Sequence, residues 1–217
     1  PKKFTPLLKK HGVKVVHVTS NLLFAKKSEE AGVDAVVSEG FEAGGHNGRE
    51  EITTMCLVPN VANNISIPLI AAGGIGSGSA MLAALSLGAD GVQIGSRFIA
   101  SKECSAHINF KNKVISAKEG DTMLSLKELT AVRLLKNSFY NQVVEAENRG
   151  DSIEDLKILL GRGRAKKGMF LGEVEEGELE VGQVSASINE ILSVSEIIDE
   201  IMIEFNAKKQ RVSEIKF

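Results

Sequence analysis

The first hundred residues alternate between short apolar, β-branched segments and helical segments, and this alternation limits the fold more than any other feature of the chain. The pattern predicts strands over residues 13–19, 33–40, 67–75 and 89–98, and helices over 21–32, 53–65 and 78–88. Gly32 and Gly88 are expected to end two of these helices, and Pro59 to kink or shorten the other. Nearly continuous apolar strands separated by helices indicate a parallel sheet covered by helices, and therefore an α/β fold.

The pattern changes to helical and charged segments from residue 101 onwards. Ser125 and Glu128 have the spacing of a capping box and predict the start of a helix. A second capped helix is predicted in "SIEDLKILLG", with Gly161 at its end, and a last helix from about residue 193 to 208. The acidic, glycine-punctuated stretch "EVEEGELEVGQV" predicts a turn or a short strand region.

Charge and cysteine content exclude several classes of function. The 26 basic and 28 acidic side chains give a net charge of -2, so neither nucleic acid nor a membrane is an expected partner. No apolar run is long enough to cross a bilayer. Cys56 and Cys104 lie far apart and outside any metal-binding spacing, which predicts free thiols, no metal site and a cytoplasmic protein.

Two glycine loops follow predicted strands one β/α unit apart, "AAGGIGSG" at residues 71–78 and "IGSRF" at 94–98. In a parallel barrel the carboxyl ends of the strands carry the functional site. Backbone N–H groups in such loops, helped by a helix N-terminus, bind phosphate. Glycines also serve simply to allow tight strand-to-helix turns. Two such loops together, with the hydroxyl of Ser96, favour a phosphate site.

A histidine, His46, follows two glycines in "EAGGHNG", after the second predicted strand and on the same side of the sheet as the glycine loops. Gly44 and Gly45 allow the backbone to approach a flat ligand, and an imidazole can act as acid or base near neutral pH. The alternative is a histidine that caps a helix or bonds a carbonyl. His17 is left open between a site residue and a core residue, whereas His11 and His107 are expected to be structural or exposed.

The segments "EGFEAGGHNG", "IPLIAAGGI", "LGADGVQIGSRF" and "ECSAHINFK", in this order, resemble the nitronate monooxygenase family, formerly 2-nitropropane dioxygenase. The flavin-dependent enoyl-acyl-carrier-protein reductases of bacteria are similar in plan. The resemblance covers nearly the whole chain, including "GRGRAKKGMF" and "GEVEEGELEVGQVSASI". It implies an FMN-binding TIM (β/α)8 barrel with a helical segment closing over the mouth.

Carried over to this chain, the resemblance assigns His46 as the catalytic acid/base for a small-molecule substrate. Residues 1–100 would form the last four β/α units of the barrel, 101–190 the helical lid, and 191–217 a helix returning to the barrel. The N-terminal half of the barrel is expected to be missing, and a homodimer is possible. The resemblance implies FMN contacts from Glu39, Ala43, Gly44, Gly45, Ala72, Gly73, Gly74, Gln93, Gly95 and Ser96.

The chain also departs from the family pattern. Some nitronate monooxygenases carry Lys directly after the histidine of the strand that corresponds to residues 13–19, whereas this chain has Val18 after His17. One expected flavin contact is therefore absent, which weakens the assignment to that particular class.

Three reactions or functions are compatible with the sequence. The first is FMN-dependent oxidation of alkyl nitronates by O2 to a carbonyl compound and nitrite. The second is enoyl-acyl-carrier-protein reduction with FMN and NAD(P)H, for which the basic stretch "GRGRAKK" could meet a phosphate or simply be a solvated helix end. The third is a non-redox scaffold that binds a phosphate ligand. The related purine-nucleotide dehydrogenase barrel needs a cysteine in a glycine-rich loop, which neither Cys56 nor Cys104 provides.

Overall fold

The computed structural model describes residues 1–216, which form two compact units. The first, here called the parallel unit, contains Pro1–Glu42, Glu50–Ile94 and residues 199–216. The second, the antiparallel unit, contains Ala43–Arg49 and Gly95–Ile198. The strands are β1 Val16–Thr19, β2 Ala35–Glu39, β3 Gly45–His46, β4 Leu69–Ala72, β5 Gly91–Gln93, β6 Thr122–Ser125 and β7 Val132–Leu135. The helices are α1 Thr5–Lys10, α2 Leu22–Glu30, α3 Thr54–Ala62, α4 Gly78–Ser86, α5 Ser96–Ile99, α6 Ile108–Ile115, α7 Ser138–Arg149, α8 Ile153–Leu160 and α9 Val194–Ser213.

The parallel unit is built on a four-stranded sheet in the order β1-β2-β4-β5, with every neighbouring pair parallel. Helices α2, α3 and α4 connect the strands in sequence. This is the arrangement of consecutive β/α units in a (β/α)8 barrel, which confirms the predicted fold class. Apolar side chains from the strands and from α2, α3 and α4 form one core, which includes Ala25, Val36, Leu57, Val58, Val61, Leu69, Ala71 and Ala84.

The glycine signals for helix ends in this unit are confirmed, and the structure adds an asparagine cap that the sequence analysis did not single out. The Asn21 side chain accepts the Phe24 N–H at the start of α2, and Gly32 follows its end with a φ of 79°. Gly88, with a φ of 103°, follows α4 in the same way. An L-residue with a side chain is strained at such angles, which explains why the chain has glycine there.

The predicted boundaries were too long for the strands and for the second helix. The fourth strand was predicted over residues 89–98 but covers only Gly91–Gln93, because Gly95 adopts helical angles and α5 begins at Ser96. Helix α3 ends at Ala62 instead of 65 and contains Pro59. The helical bond that Pro59 cannot donate would go to the carbonyl of Met55, an exposed residue that water can reach.

The prediction that the second half is helical was incomplete, because the antiparallel unit also contains a sheet in the order β3-β7-β6. The predicted helix start at Ser125 and Glu128 was wrong. Ser125 is the last residue of β6, opposite Val132 of β7, and Leu126 takes a left-handed φ of 57°. Leu126 is buried with Phe139 in an apolar cluster. Tertiary pairing and burial therefore outweighed the local capping pattern.

Two other predicted helices of the second half are confirmed. At the start of α8 the Ser152 and Asp155 side chains form a reciprocal capping box, and Gly161 follows its end. Helix α9 begins at Val194, close to the predicted start, but extends to Ser213. The acidic segment between them forms turns and an isolated antiparallel bridge between Glu180 and Leu134. None of the described helices is long and apolar enough to span a membrane.

Candidate active site

Three of the predicted cofactor residues lie side by side at the carboxyl edge of the parallel sheet. The register pairs Glu39 with Ala72 and Ala72 with Gln93, so their side chains lie in one row on one face. Val18 and Val37 form part of the preceding row on this face. The Glu39 carboxyl is half-buried, and burial raises its pKa above the usual value for a glutamate. This row therefore has a polar side chain at each end, Glu39 and Gln93, and the preceding row on the same face contains the apolar residues Val18 and Val37.

His17 lies on the other face of this sheet. It pairs with Val36, which belongs to the core beneath the helices, and it is one residue out of phase with Val18. Burial, and then the positive N-terminus, lower the pKa of His17. The structure therefore separates His17 from the face that carries Glu39 and Gln93. His11 is exposed, and His107 caps α6 by accepting the Asn109 N–H at 3.1 Å.

Gly73 and Gly74 follow β4 in left-handed conformations, with φ of 92° and 68°. A Cβ at Gly73 would lie 2.7 Å from the carbonyl oxygen of Gly40, and one at Gly74 would lie 3.1 Å from Cβ of Glu42. Both glycines are therefore required by the turn and by its packing within the protein. Their presence is explained without a ligand, while their N–H groups stay available for one.

A network that the sequence analysis missed supports this glycine loop. Both oxygens of Glu42 accept the Thr54 N–H, at 3.1 and 3.0 Å, and the Thr54 hydroxyl lies 2.8 Å from the Glu42 carboxylate and 2.9 Å from the Gly73 carbonyl oxygen. The carboxylate thus caps the first turn of α3, where negative charge is favourable. Thr54 connects this cap to the loop after β4. The only sequence signal is an acid located shortly before a threonine-initiated helix.

The second predicted phosphate loop, at Gly95 and Ser96, belongs to the antiparallel unit. A Cβ added to Gly95 would have no protein atom within 4 Å, and its φ of −105° is open to any residue. Neither backbone strain nor packing requires glycine at this position. The Ser96 hydroxyl accepts the Gly182 N–H at 2.9 Å and keeps its own hydrogen for another acceptor.

His46 is held at the edge of the antiparallel sheet. Gly45 pairs with Arg133 and His46 with Val132 of β7, and the His46 side chain is exposed. A Cβ at Gly44 would collide with the backbone at Val181 and Gly182. The buried Ala43 and the two glycines after it thus form a closely packed segment. Position 44 needs glycine because the backbone of Val181 and Gly182 lies against it.

The sequence analysis did not single out two carboxyl groups of the antiparallel unit, Glu178 and Glu180. Glu178 is buried, and burial together with the charge of Glu180 raises its pKa to about 7, against a smaller opposing effect of Arg164. The Glu180 carboxylate lies beside Cα of Gly45. Arg164 itself is held by the carbonyls of Leu159, Leu160 and Glu176 and stacks on Phe139.

Some of the basic side chains in residues 161–167 make contacts within the protein, and others are exposed to solvent. Besides Arg164, Lys167 is engaged, in an ion pair with Glu173, whereas Arg162 and Lys166 are exposed to solvent. Cys56 and Cys104 are both free thiols. Among residues 1–216 no group of three His, Cys, Asp or Glu side chains is placed to hold a metal ion.

Comparison with known proteins gives concordant matches. A family model described as nitronate monooxygenase matches residues 1–204. A probable nitronate monooxygenase of Staphylococcus aureus is 38% identical over 126 residues, which are 54% of this chain and 36% of that protein. The chain thus spans little more than a third of the length of the curated relatives it matches.

Two solved structures resemble the whole described chain. FabK from Thermotoga maritima is 37% identical with a TM-score of 0.92, over 98% of this chain and 67% of that one. Nitroalkane oxidase from Streptomyces ansochromogenes is 24% identical with a TM-score of 0.83, over 97% of this chain and 62% of that one. At that identity the second match shows the fold alone.

Proposed function

We propose, from the premise that this chain belongs to the nitronate monooxygenase family, that it is part of a flavin-dependent oxidoreductase that oxidises alkyl nitronates. In this reaction O2 and the nitronate yield a carbonyl compound and nitrite. The observation that carries the proposal is the family match over residues 1–204. The curated relatives named probable nitronate monooxygenase support it.

Each unit, considered separately, carries groups suited to contact with FMN, and these support the proposal. In the antiparallel unit, the space at Gly95 where a side chain would stand is free of protein atoms, and Ser96 has a hydrogen left to donate. A phosphate oxygen is a suitable acceptor for that hydrogen and for backbone N–H groups. In the parallel unit, Glu39 and Gln93 offer hydrogen-bonding groups beside Ala72, and residues 73 and 74 offer N–H groups. We propose these residues, with residues 43–45, as the FMN contacts.

FMN would supply the redox chemistry, and the protein would supply proton handling and orientation. His46 is exposed on a short strand and is available to a substrate. When the substrate is a neutral nitroalkane, an imidazole nitrogen of His46 takes the proton from the carbon that bears the nitro group, leaving the nitronate anion. A substrate supplied as the nitronate needs no such step. The assignment of residues 101–190 as a lid and of 191–217 as a returning helix is part of the same proposal.

The assignment of His46 predicts a defect that depends on the substrate. His46→Ala should retain FMN but lower turnover of a neutral nitroalkane by about 10²–10⁴-fold, the usual contribution of a general acid–base group. The defect with the preformed nitronate should be much smaller. His11→Ala is the matched control because it removes an exposed histidine elsewhere. Equal turnover of both substrates by His46→Ala and the wild type, with FMN bound, would show that His46 is structural.

A second candidate is FMN- and NAD(P)H-dependent enoyl-acyl-carrier-protein reduction. The observation that favours it is the 37% identity to FabK, which exceeds the 24% identity to nitroalkane oxidase. Anaerobic mixing of the purified protein with NADH or with a nitronate distinguishes the two reactions. Bleaching of the flavin by the nitronate but not by NADH supports nitronate oxidation, whereas rapid bleaching by NADH supports enoyl reduction. Release of FAD instead of FMN on heat denaturation would refute the cofactor assignment.

A further inference from the structure

Asn47 is bonded to the backbone on both sides of the glycine pair that precedes His46. Its side-chain Nδ2 donates to the carbonyl of Ala43 at 2.9 Å and to that of Gly45 at 3.1 Å. An asparagine NH2 group carries two hydrogens, so both bonds can exist together. The Asn47 main-chain N–H also donates to the carbonyl of Ala131 at 2.8 Å. Asn47 therefore connects residues 43 and 45 of its own loop, and it also binds the loop to Ala131, the residue just before β7.

Besides the pairing with β7 and the packing of Gly44, the backbone that carries His46 is fixed by the Asn47 side chain. Strand β3 is only two residues long, and the His46 side chain is exposed and so is not held by burial. Two consecutive glycines lose more conformational entropy on ordering than other residues do. Gly45 also has a φ of 75°, and because glycine adopts positive and negative φ about equally readily, its own backbone does not select this conformation. Packing of Gly44 on the backbone at Val181 fixes one end of the segment, and Asn47 fixes the other.

We infer that Asn47 is a positioning residue, whose side-chain amide holds the backbone at Gly45 in the one conformation that directs the His46 imidazole towards the substrate. The role in turnover rests on the function proposed above. A misplacement of about 1 Å in a reacting group can reduce a rate by about 10²-fold. Loss of the amide should therefore slow the proton transfer that His46 performs. The conformation of the chain away from this loop should not change.

The test compares Asn47→Ala and Asn47→Asp with Asn206→Ala. Asp has nearly the size of Asn but presents a carboxylate to two carbonyl oxygens and donates to neither at neutral pH. Asn206 is the matched control because its Nδ2 also donates, at 2.9 Å, to a carbonyl four residues earlier, at an exposed position of α9. Turnover of a neutral nitroalkane should fall about 10- to 100-fold in both Asn47 variants. Turnover is expressed per bound FMN, because residues 43–45 are among the proposed FMN contacts; KM should stay within about twofold, and Asn206→Ala should behave as the wild type.

The pH profile adds a readout that a merely structural role would not change. In Asn47→Asp, a protonated carboxyl regains one donor, so part of the lost turnover should return as the pH is lowered, relative to Asn47→Ala. Wild-type turnover in both Asn47 variants would overturn the inference. Equal losses with the neutral nitroalkane and with its nitronate would also overturn it, because positioning of His46 matters only where a proton moves.

A measurement independent of activity separates this inference from the proposed function. The imidazole of His46 should give one sharp NMR signal in the wild type and in Asn206→Ala, and a broadened or doubled signal in Asn47→Ala. If that difference appears but the wild type oxidises no nitronate, the proposed function fails and the positioning of His46 by Asn47 stands. An unchanged His46 signal in both Asn47 variants refutes the positioning role, whatever the enzyme's reaction.

Discussion

The buried carboxyl of Glu178 makes the stability of the protein depend on pH in a direction opposite to that of most acidic residues. Burial and the neighbouring Glu180 raise its pKa from 4.5 to about 7, and Arg164 opposes this only in part. The folded protein therefore binds this proton more tightly than the unfolded chain does. The free energy of unfolding should fall as the pH rises from 4.5 to about 7, and should then stay at the lower level.

The size of the effect follows from the two pKa values. A tenfold change in proton affinity corresponds to about 1.4 kcal/mol, so the shift from 4.5 to about 7 costs the folded protein about 3–4 kcal/mol once the carboxyl is ionised in both states. Glu178→Gln keeps the shape of the protonated side chain and cannot ionise. The variant should match the wild type near pH 4 and exceed its free energy of unfolding by about 3–4 kcal/mol at about pH 8.5.

Urea denaturation of the wild type and of Glu178→Gln at intervals between about pH 4 and 8.5 measures this difference directly. Subtracting the two curves cancels the titration of all other groups to first order. Glu180→Gln is the second variant, because removal of its charge should lower the pKa of Glu178 and reduce the slope. A difference between wild type and Glu178→Gln that is constant over this range would refute the reasoning, since the carboxyl would then have the same pKa folded and unfolded.

Two further predictions concern glycines whose surroundings differ. Gly95→Ala should leave the free energy of unfolding within about 0.5 kcal/mol of the wild type, because no protein atom lies near the added Cβ. It should lower FMN retention, measured as flavin absorbance per protein after dialysis, and full retention would remove Gly95 from the cofactor site. Gly78→Ala should lower the free energy of unfolding in urea by about 1–3 kcal/mol, because the added Cβ would collide with the α9 backbone at Ile201 and Phe205. A value equal to the wild type would show that α9 moves aside without cost.

The packing of α9 also changes what α4 can contribute to a phosphate site. The sequence predicts that the helix after the first glycine loop offers its N-terminus to an anion. In the structure the Glu204 carboxylate accepts the Gly78 N–H at 2.9 Å and is also bonded to the Ser79 hydroxyl. These bonds lower the pKa of Glu204. The N-terminus of α4 thus has an anionic partner within the protein.

Local and periodic signals were sufficient to predict the parallel half of the fold. Apolar β-branched runs and terminal glycines such as Gly32 act over a few residues, so they can be identified in the sequence. The same signals identified the strands but placed their ends too late, and Glu39, Ala72 and Gln93 were singled out by the family resemblance. The parallel register then places these residues in one row because strands of a parallel sheet run in phase.

Only the tertiary structure decided what the glycines and the histidine of the candidate site contact. Gly44 is required by the backbone at Val181, which is distant along the chain, so no local pattern could indicate it. Ser125 begins a helix by its local pattern and ends a strand in the fold, because pairing with β7 stabilises it more than a cap would. Asparagine is common in turns and helix caps, so the residue type alone does not reveal which groups Asn47 contacts. It acquires its role because the chain turns at Gly45 and brings two carbonyl oxygens to its amide.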